Sequence, residues 1–450
     1  VIRLGRIASI GAAQPVMQGT EVIEANGGVL LPGLHDHHLH LASLAVSRES
    51  LACGPEACAD GPALARALKR QAQTRPGAWI RGIGYHESVA GNIDAAWLDR
   101  QLPDTPVRIQ HRGGRLWVFN SAAMERLEIA AADPLEKVDG QHTGRLYEGD
   151  AWLRKRMSSL RESRRPELAA VSRMLAGFGI TALTDTTPQN GLEDLQWFQA
   201  EKEQGALLQD IRLMGNASLD GVRSMLPGVT VGEHKFHLLE SDLPDLDAVA
   251  ESIRQSHAVS RNVAFHCVTR AELVFALAAI REAGSRPGDR IEHASVTPPE
   301  LMQDIATLGL TVVTQPVFVQ QRGDQYLQDV AAEDQPWLYR LQGFLEAGVA
   351  LAGSSDAPFG DSNPWKAMQA AVERSTASGQ ALGVEEALGP EQALALYTGP
   401  LSAPGQPVTA LVEGMSADLC LLGCGWAEAR RKLATVEVQL TLMRGQVVFP

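Results

Sequence analysis

The chain has 450 residues, 45% of them hydrophobic and 21% charged, a globular composition that excludes a disordered or collagen-like protein. Its formal charge of -13, from 53 acidic against 40 basic residues, repels a phosphate backbone, so no nucleic acid is expected as a partner and a small-molecule substrate is. Five cysteines (Cys53, Cys58, Cys267, Cys420, Cys424) form no C-x-x-C pair and leave one over, which argues against a disulfide framework and for a cytoplasmic protein. Neither an export signal nor an apolar run of about 20 residues is read anywhere, so no membrane is expected.

Residues 1–33 alternate short apolar stretches with Gly, Asn and Gln and read as small antiparallel strands. ADLCLLG and VEVQLTLMRGQVVF, near 417–423 and 436–449, alternate in the same way. The two termini are therefore expected to pair as one small β-sandwich domain, 1–33 plus 398–450, with residues 34–397 set between them.

That middle stretch repeats a β-rich run followed by helical material. LLPGLHDHHLH comes first, then GITALTDTT, IRLMGNAS, HKFHLLE, NVAFHCV, RIEHASV, LTVVTQPV and VALAGSSD. Eight such units predict an α/β fold with a parallel sheet, and without a Gly-rich phosphate loop they favour the (β/α)8 TIM barrel over an open sheet. Residues 45–175 break the rhythm and read as a large insertion after strand one, with strand-like AWIRGIGYH and PVRIQHRGG and a charged helical region beyond residue 150. An excursion at that point is expected over the C-terminal face, where it can supply substrate contacts.

Histidine is sparse except in HDHHLH, where His35, His37, His38 and His40 fall within six residues. Side chains at i and i+2 of a strand share a face about 6.5 Å apart, so His38 and His40 can converge on one metal while His35 and His37 point away. His266, His293 and Asp356 each stand where an apolar strand stops, and in a barrel those stops share one rim. Five imidazole and carboxylate groups suit one or two divalent ions, Zn2+ first, with Mn2+ or Fe2+ as alternatives. Lys235, one of seven lysines, lies in the apolar strand HKFHL; reaction with carbon dioxide would turn its buried cation into an oxygen ligand able to bridge two ions. Tyr85, His86, Arg112, Arg115, Trp117 and Gln315 lie on segments expected near the rim and are candidate substrate contacts, an arginine there being suited to a carboxylate.

With these residues in place, the chain resembles the amidohydrolase superfamily, and within it the amidohydrolase 3 or YtcJ-like family. The resemblance runs through PGLHDHHLH, WIRGIGYH, WVFNSAAM, HTGRLYE, GITALTDT, the Lys235 strand, FHCVTRAELVFAL, RIEHASV, TQPVF, GSSDAPFGDSNPW and LVEGMSADLCLL. It implies His38 and His40 on the more buried metal, Lys235 as a carboxylated bridge, His266 and His293 on the second metal, and Asp356 as ligand and proton shuttle. The chain departs from the family pattern at Thr184 to Thr187, at Gly113 to Arg115 and after the strand lysine, all on loops expected above the metals.

The expected activity is hydrolysis of a carbon-nitrogen bond in a non-peptide amide, N-acyl or N-formyl compound. A metal-activated hydroxide, whose parent water has its pKa lowered from about 15.7 to about 7, is the attacker and Asp356 the shuttle. A lactonase, an ester hydrolase, a deaminase or a binding protein that kept the fold is the alternative. The sequence leaves room for a homodimer.

Overall fold

The computed structural model describes residues 1–12, 19–74, 76–159, 165–224 and 226–450. They form two compact units, one of residues 1–41 with 167–450 and the other of residues 42–166.

The first unit is built on eight parallel strands: β1 (Leu34–Leu39), β2 (Ile180–Asp185), β3 (Asp210–Gly215), β4 (Val229–His237), β5 (Val263–Cys267), β6 (Arg290–His293), β7 (Thr311–Thr314) and β8 (Ala350–Gly353). Six fall inside the runs read from the sequence, while β3 begins one residue before IRLMGNAS and β4 begins five residues before HKFHLLE. They pair in chain order from β1 to β8. The ends meet through backbone bonds, Asp356 N–H to the His38 carbonyl and His40 N–H to the Ala357 carbonyl, both 2.8 Å. Strands covered on both faces carry near-continuous apolar residues, and all six residues of β2 are buried.

Helices follow most strands, among them Leu192–Glu203 after β2, Leu246–Ala258 after β4 and Arg270–Ala283 after β5. Between β3 and β4 the expected helix is replaced by the single 3-10 turn Ala217–Leu219. The connection is short and contains Gly221, Pro227 and Gly228, residues that break a helix interior. The space so left is a cavity of about 310 Å³, lined in part by Arg212, Leu219, Val231 and Arg261.

The termini pair as a four-stranded antiparallel sheet in the order Gln446–Phe449, Val438–Met443, Leu419–Leu422, Leu30–Pro32. A separate pair, Ile2–Arg3 with Arg6–Ile7, packs Ile7 against Ala417, Leu419 and Leu442.

The second unit holds a five-stranded mixed sheet in the order Arg145–Tyr147, Leu116–Phe119, Val107–His111, Ile80–Tyr85, Leu51–Ala52. One apolar cluster collects Ile80, Val107, Ile109 and Val118, and a second collects Trp117, Phe119, Leu146 and Leu153. The charged region beyond residue 150 forms the helices Asp150–Ser159 and Ala169–Ala176, and residues 160–164 between them lie outside the described residues. All five cysteines are free, and no helix among the described residues is long and apolar enough to cross a membrane.

Candidate active site

The strands of a barrel end together, and here the ends of β1 and β8 bring His38, His40 and Asp356 to one point, each offering a ligand atom within 4.8 Å of the others. Asp356 Oδ1 lies 3.4 Å from Nε2 of both rings. Asp356 follows β8 with φ 52 and His293 ends β6 with φ 70. Left-handed backbone at a non-glycine residue costs about 1–3 kcal/mol and persists where surrounding structure fixes it. For Asp356 the fixing contact is its own N–H bond to His38.

The hydrogen bonds on the far side of each ring decide which nitrogen is free. His38 Nδ1 is 2.5 Å from Glu292 Oε2, and both residues are fully buried. An ionised carboxylate only accepts, so Nδ1 carries the proton and Nε2 presents its lone pair toward Asp356. His293 Nδ1 is 2.7 Å from Gln315 Oε1. The amide orientation follows from its other end: Gln315 Nε2 donates to Ser354 Oγ at 2.9 Å, and that hydroxyl donates to the Thr314 carbonyl at 3.2 Å. Nδ1 of His293 is therefore the donor and its Nε2 is free. His40 is held by Thr187 Oγ1, 2.9 Å from its Nδ1, one of the positions where the chain departs from the family pattern.

His266 lies between His293, edge-on at 4.5 Å between ring centroids, and His237, tilted at 4.4 Å, and His293 is 4.7 Å from His38. Lys235 is buried and its Nζ has no hydrogen-bond partner among the described residues. Burial lowers it to about 8, against the pull of Glu292 and Asp356. Burial also drives His293 down to about 3, with His38 adding to it, and His266 well below the usual imidazole range.

Such a set is rich in acceptors. Nε2 of His38 and of His293 each keep a lone pair and Asp356 adds a buried carboxylate, so a divalent cation bound by nitrogen and oxygen satisfies them together. His38, His40 and Asp356 fit that role directly, and His266, His293 and Lys235 line the same interior.

Two supporting residues had escaped the sequence reading. Glu292 orients His38 and is itself paired with Arg290, whose Nη2 donates to Glu292 Oε2 at 3.2 Å and to the His37 carbonyl at 2.8 Å. Arg290 Nε also lies 2.6 Å from Glu292 Oε1, an ion pair too misaligned for a hydrogen bond. Gln315, a candidate substrate contact from sequence, is fully buried with its amide committed to His293 and Ser354.

The remaining candidate contacts lie in the 42–166 unit. Tyr85 is buried and its hydroxyl donates to the Gly91 carbonyl at 2.5 Å. The Arg112 N–H bonds the Tyr85 carbonyl, Arg115 lies 3.6 Å from Glu148, and Trp117 Nε1 donates to Asp150 at 2.9 Å. His86 groups with Glu87 and His111, whose Nε2 atoms are 3.7 and 3.2 Å from the carboxylate. Their Nδ1 atoms accept from the backbone N–H of Ser88 and Gly113. Each Nε2 thus carries the proton, so this cluster is a hydrogen-bonded carboxylate rather than a cation site.

Comparison with known proteins agrees with this geometry. The model of the amidohydrolase family matches residues 21–449. The chain belongs to the amidohydrolase family. Among curated proteins, YtcJ of Bacillus subtilis (strain 168) is 23% identical, covering 96% of this chain and 90% of its own length. The N-substituted formamide deformylase of Arthrobacter pascens is 25% identical over 89% and 85%. A crystal structure of an uncharacterized metal-dependent hydrolase from Pyrococcus horikoshii OT3 superposes with a TM-score of 0.74 at 20% identity, covering 90% of this chain and 88% of that one. This amidohydrolase has an α/β barrel fold.

Proposed function

We propose that this amidohydrolase cleaves a carbon-nitrogen bond in a small non-peptide amide of the N-acyl or N-formyl type, using one or two divalent ions, zinc before manganese or iron. The observation that carries the reading is the convergence of His38, His40 and Asp356, with Glu292 fixing the available nitrogen of His38 and Gln315 that of the neighbouring His293. The relative named as an N-substituted formamide deformylase supports the bond type.

A divalent ion held there supplies a Lewis acid and makes water nucleophilic at neutral pH. The chain does the rest. Asp356, 3.4 Å from Nε2 of both His38 and His40, accepts the proton of the attacking water and returns it to the leaving nitrogen. Thr187 and Gln315 keep His40 and His293 from rotating. Lys235 is proposed to carry a carbamate: its Nζ is buried, orphaned and already easy to deprotonate, and a neutral amine is the form that adds to carbon dioxide.

The reading is tested by screening N-formyl and N-acyl amines for turnover by wild-type protein and Lys235→Ala. The variant should lose metal and activity and regain part of both on adding acetate or propionate. Full activity in the variant without added acid refutes the carbamate. No turnover of any amide by metal-loaded wild type refutes the bond type.

A further inference from the structure

One face of the five-stranded sheet in the 42–166 unit carries buried charge beside the apolar cluster of Trp117, Phe119 and Leu146. Strand alternation sends Ile80, Val107, Ile109 and Val118 to one apolar cluster. It sends Arg81, Arg108, Gln110 and Trp117 to the opposite face. The parallel register sets Arg81 directly beside Arg108, and the antiparallel register sets Gln110 beside Trp117. Both guanidiniums lie 5.4 Å from the Trp117 ring centroid, and Arg108 is also 5.9 Å from that of Trp79.

The donors of this face outnumber its acceptors. Arg81 reaches Gln110 Oε1 only at 3.5 Å, and Arg108 has no hydrogen-bond or ion-pair partner among the described residues. Nε of Arg81, Nε of Arg108 and Nε1 of Trp79 are all buried without an acceptor. Asp150 is engaged by Trp117 Nε1. Burial, and then the adjacent Arg81 charge, pulls Arg108 down to about 9. Indole faces stabilise each cation by about 0.5–2 kcal/mol, but they supply no hydrogen-bond acceptor in the plane of the guanidinium, and a buried unpaired donor costs about 1–3 kcal/mol. Both arginines are half-buried as residues, with their Nε atoms inside.

We propose that this face binds the carboxylate of a small apolar organic acid, with Arg81 and Arg108 holding the carboxylate and Trp79 and Trp117 against its hydrocarbon part. A carboxylate is acceptor-only and matches guanidinium donors in pairs. Arg81, Arg108 and the Arg154 guanidinium beside Asp150 outweigh that one carboxylate, so the face is net positive and selects an anion. The rings select an apolar body.

Isothermal titration of the metal-loaded protein with cyclohexanecarboxylate should show saturable binding that cyclohexanecarboxamide lacks. Arg108→Met should weaken that binding at least about tenfold. Equal affinity for acid and amide, or for wild type and variant, overturns the proposal. Inorganic phosphate binding more tightly than the acid, and losing that affinity in the same variant, overturns it in favour of a phosphate site. Wild-type crystals soaked in 4-bromobenzoate give a reading independent of whether the variant folds: the bromine anomalous peak should lie against Trp79 and Trp117, and peaks only elsewhere contradict the assignment.

Discussion

Replacing Glu292 by glutamine separates two jobs that this carboxylate performs. It accepts the His38 Nδ1 proton at 2.5 Å, and it neutralises Arg290, both residues being at most 1% exposed. In Glu292→Gln the amide oxygen can still accept from His38, but the charge that strengthens the bond and raises the basicity of Nε2 is gone. Partners of this kind contribute about 10–100-fold to metal affinity. The second loss is larger in free energy: with solvent absent, removing one member of a buried ion pair leaves the other uncompensated, at about 3–5 kcal/mol. Urea unfolding of metal-stripped protein reads the stability loss, and competition against a chelator reads the metal loss. The double variant Arg290→Met/Glu292→Leu removes both charges and should recover most of the stability, yet it leaves His38 unheld and should stay weak for metal. Metal affinity in Glu292→Gln within about threefold of wild type, or restored by the double variant, would refute the orienting role of Glu292.

Asp356→Asn should still fold but lose turnover by about 10²–10⁴ on any good substrate; steady-state kinetics on metal-loaded protein checks it, and an unchanged kcat would place the proton transfer elsewhere. His234 points away from the barrel interior, its Nδ1 2.8 Å from Ser256 Oγ, and burial followed by the Arg261 charge lowers it from 6.5 to about 4. The folded state then disfavours a proton that the unfolded chain accepts, so this residue's contribution is full above about pH 6.5 and is lost as pH falls toward about 4. The total is about 3 kcal/mol. His234→Gln should flatten the fall in urea-unfolding stability across that window, and parallel pH curves for wild type and variant would contradict the assignment.

Much of the barrel was legible because its strands are buried on both faces, so each reads as an apolar run that stops at a polar residue. His38 and His40 were legible for the same reason, since a doubled histidine at a strand end has few other uses. Glu292 was not. It lies 254 residues from the ring it orients, and a glutamate in a strand is ordinarily a solvated side chain. The available signal was RIEH itself: Arg290 and Glu292 at i and i+2 face the same interior, and two opposite charges there imply a buried pair. Gln315 was read as a contact because it stands at a rim, but a rim position does not reveal which way an amide turns. The missing helix between β3 and β4 was hidden by expecting every unit to repeat, although Gly221, Pro227 and Gly228 marked the break. For the 42–166 unit, strand alternation located AWIRGIGYH and PVRIQHRGG, whereas the pairing of Arg81 with Arg108 depends on a register that single-strand patterns do not contain.

The central claim is that His38, His40 and Asp356 form a metal centre on which turnover depends. Elemental analysis of purified wild type and His38→Ala/His40→Ala, coupled to hydrolysis of an N-formyl or N-acyl amine before and after chelation, tests it most directly. One or two divalent ions per wild-type chain are predicted, with activity lost on chelation, restored by zinc or manganese, and absent with the metal from the double variant. Metal-free wild type that remains fully active, or a double variant that keeps both its metal and its turnover, would contradict the account.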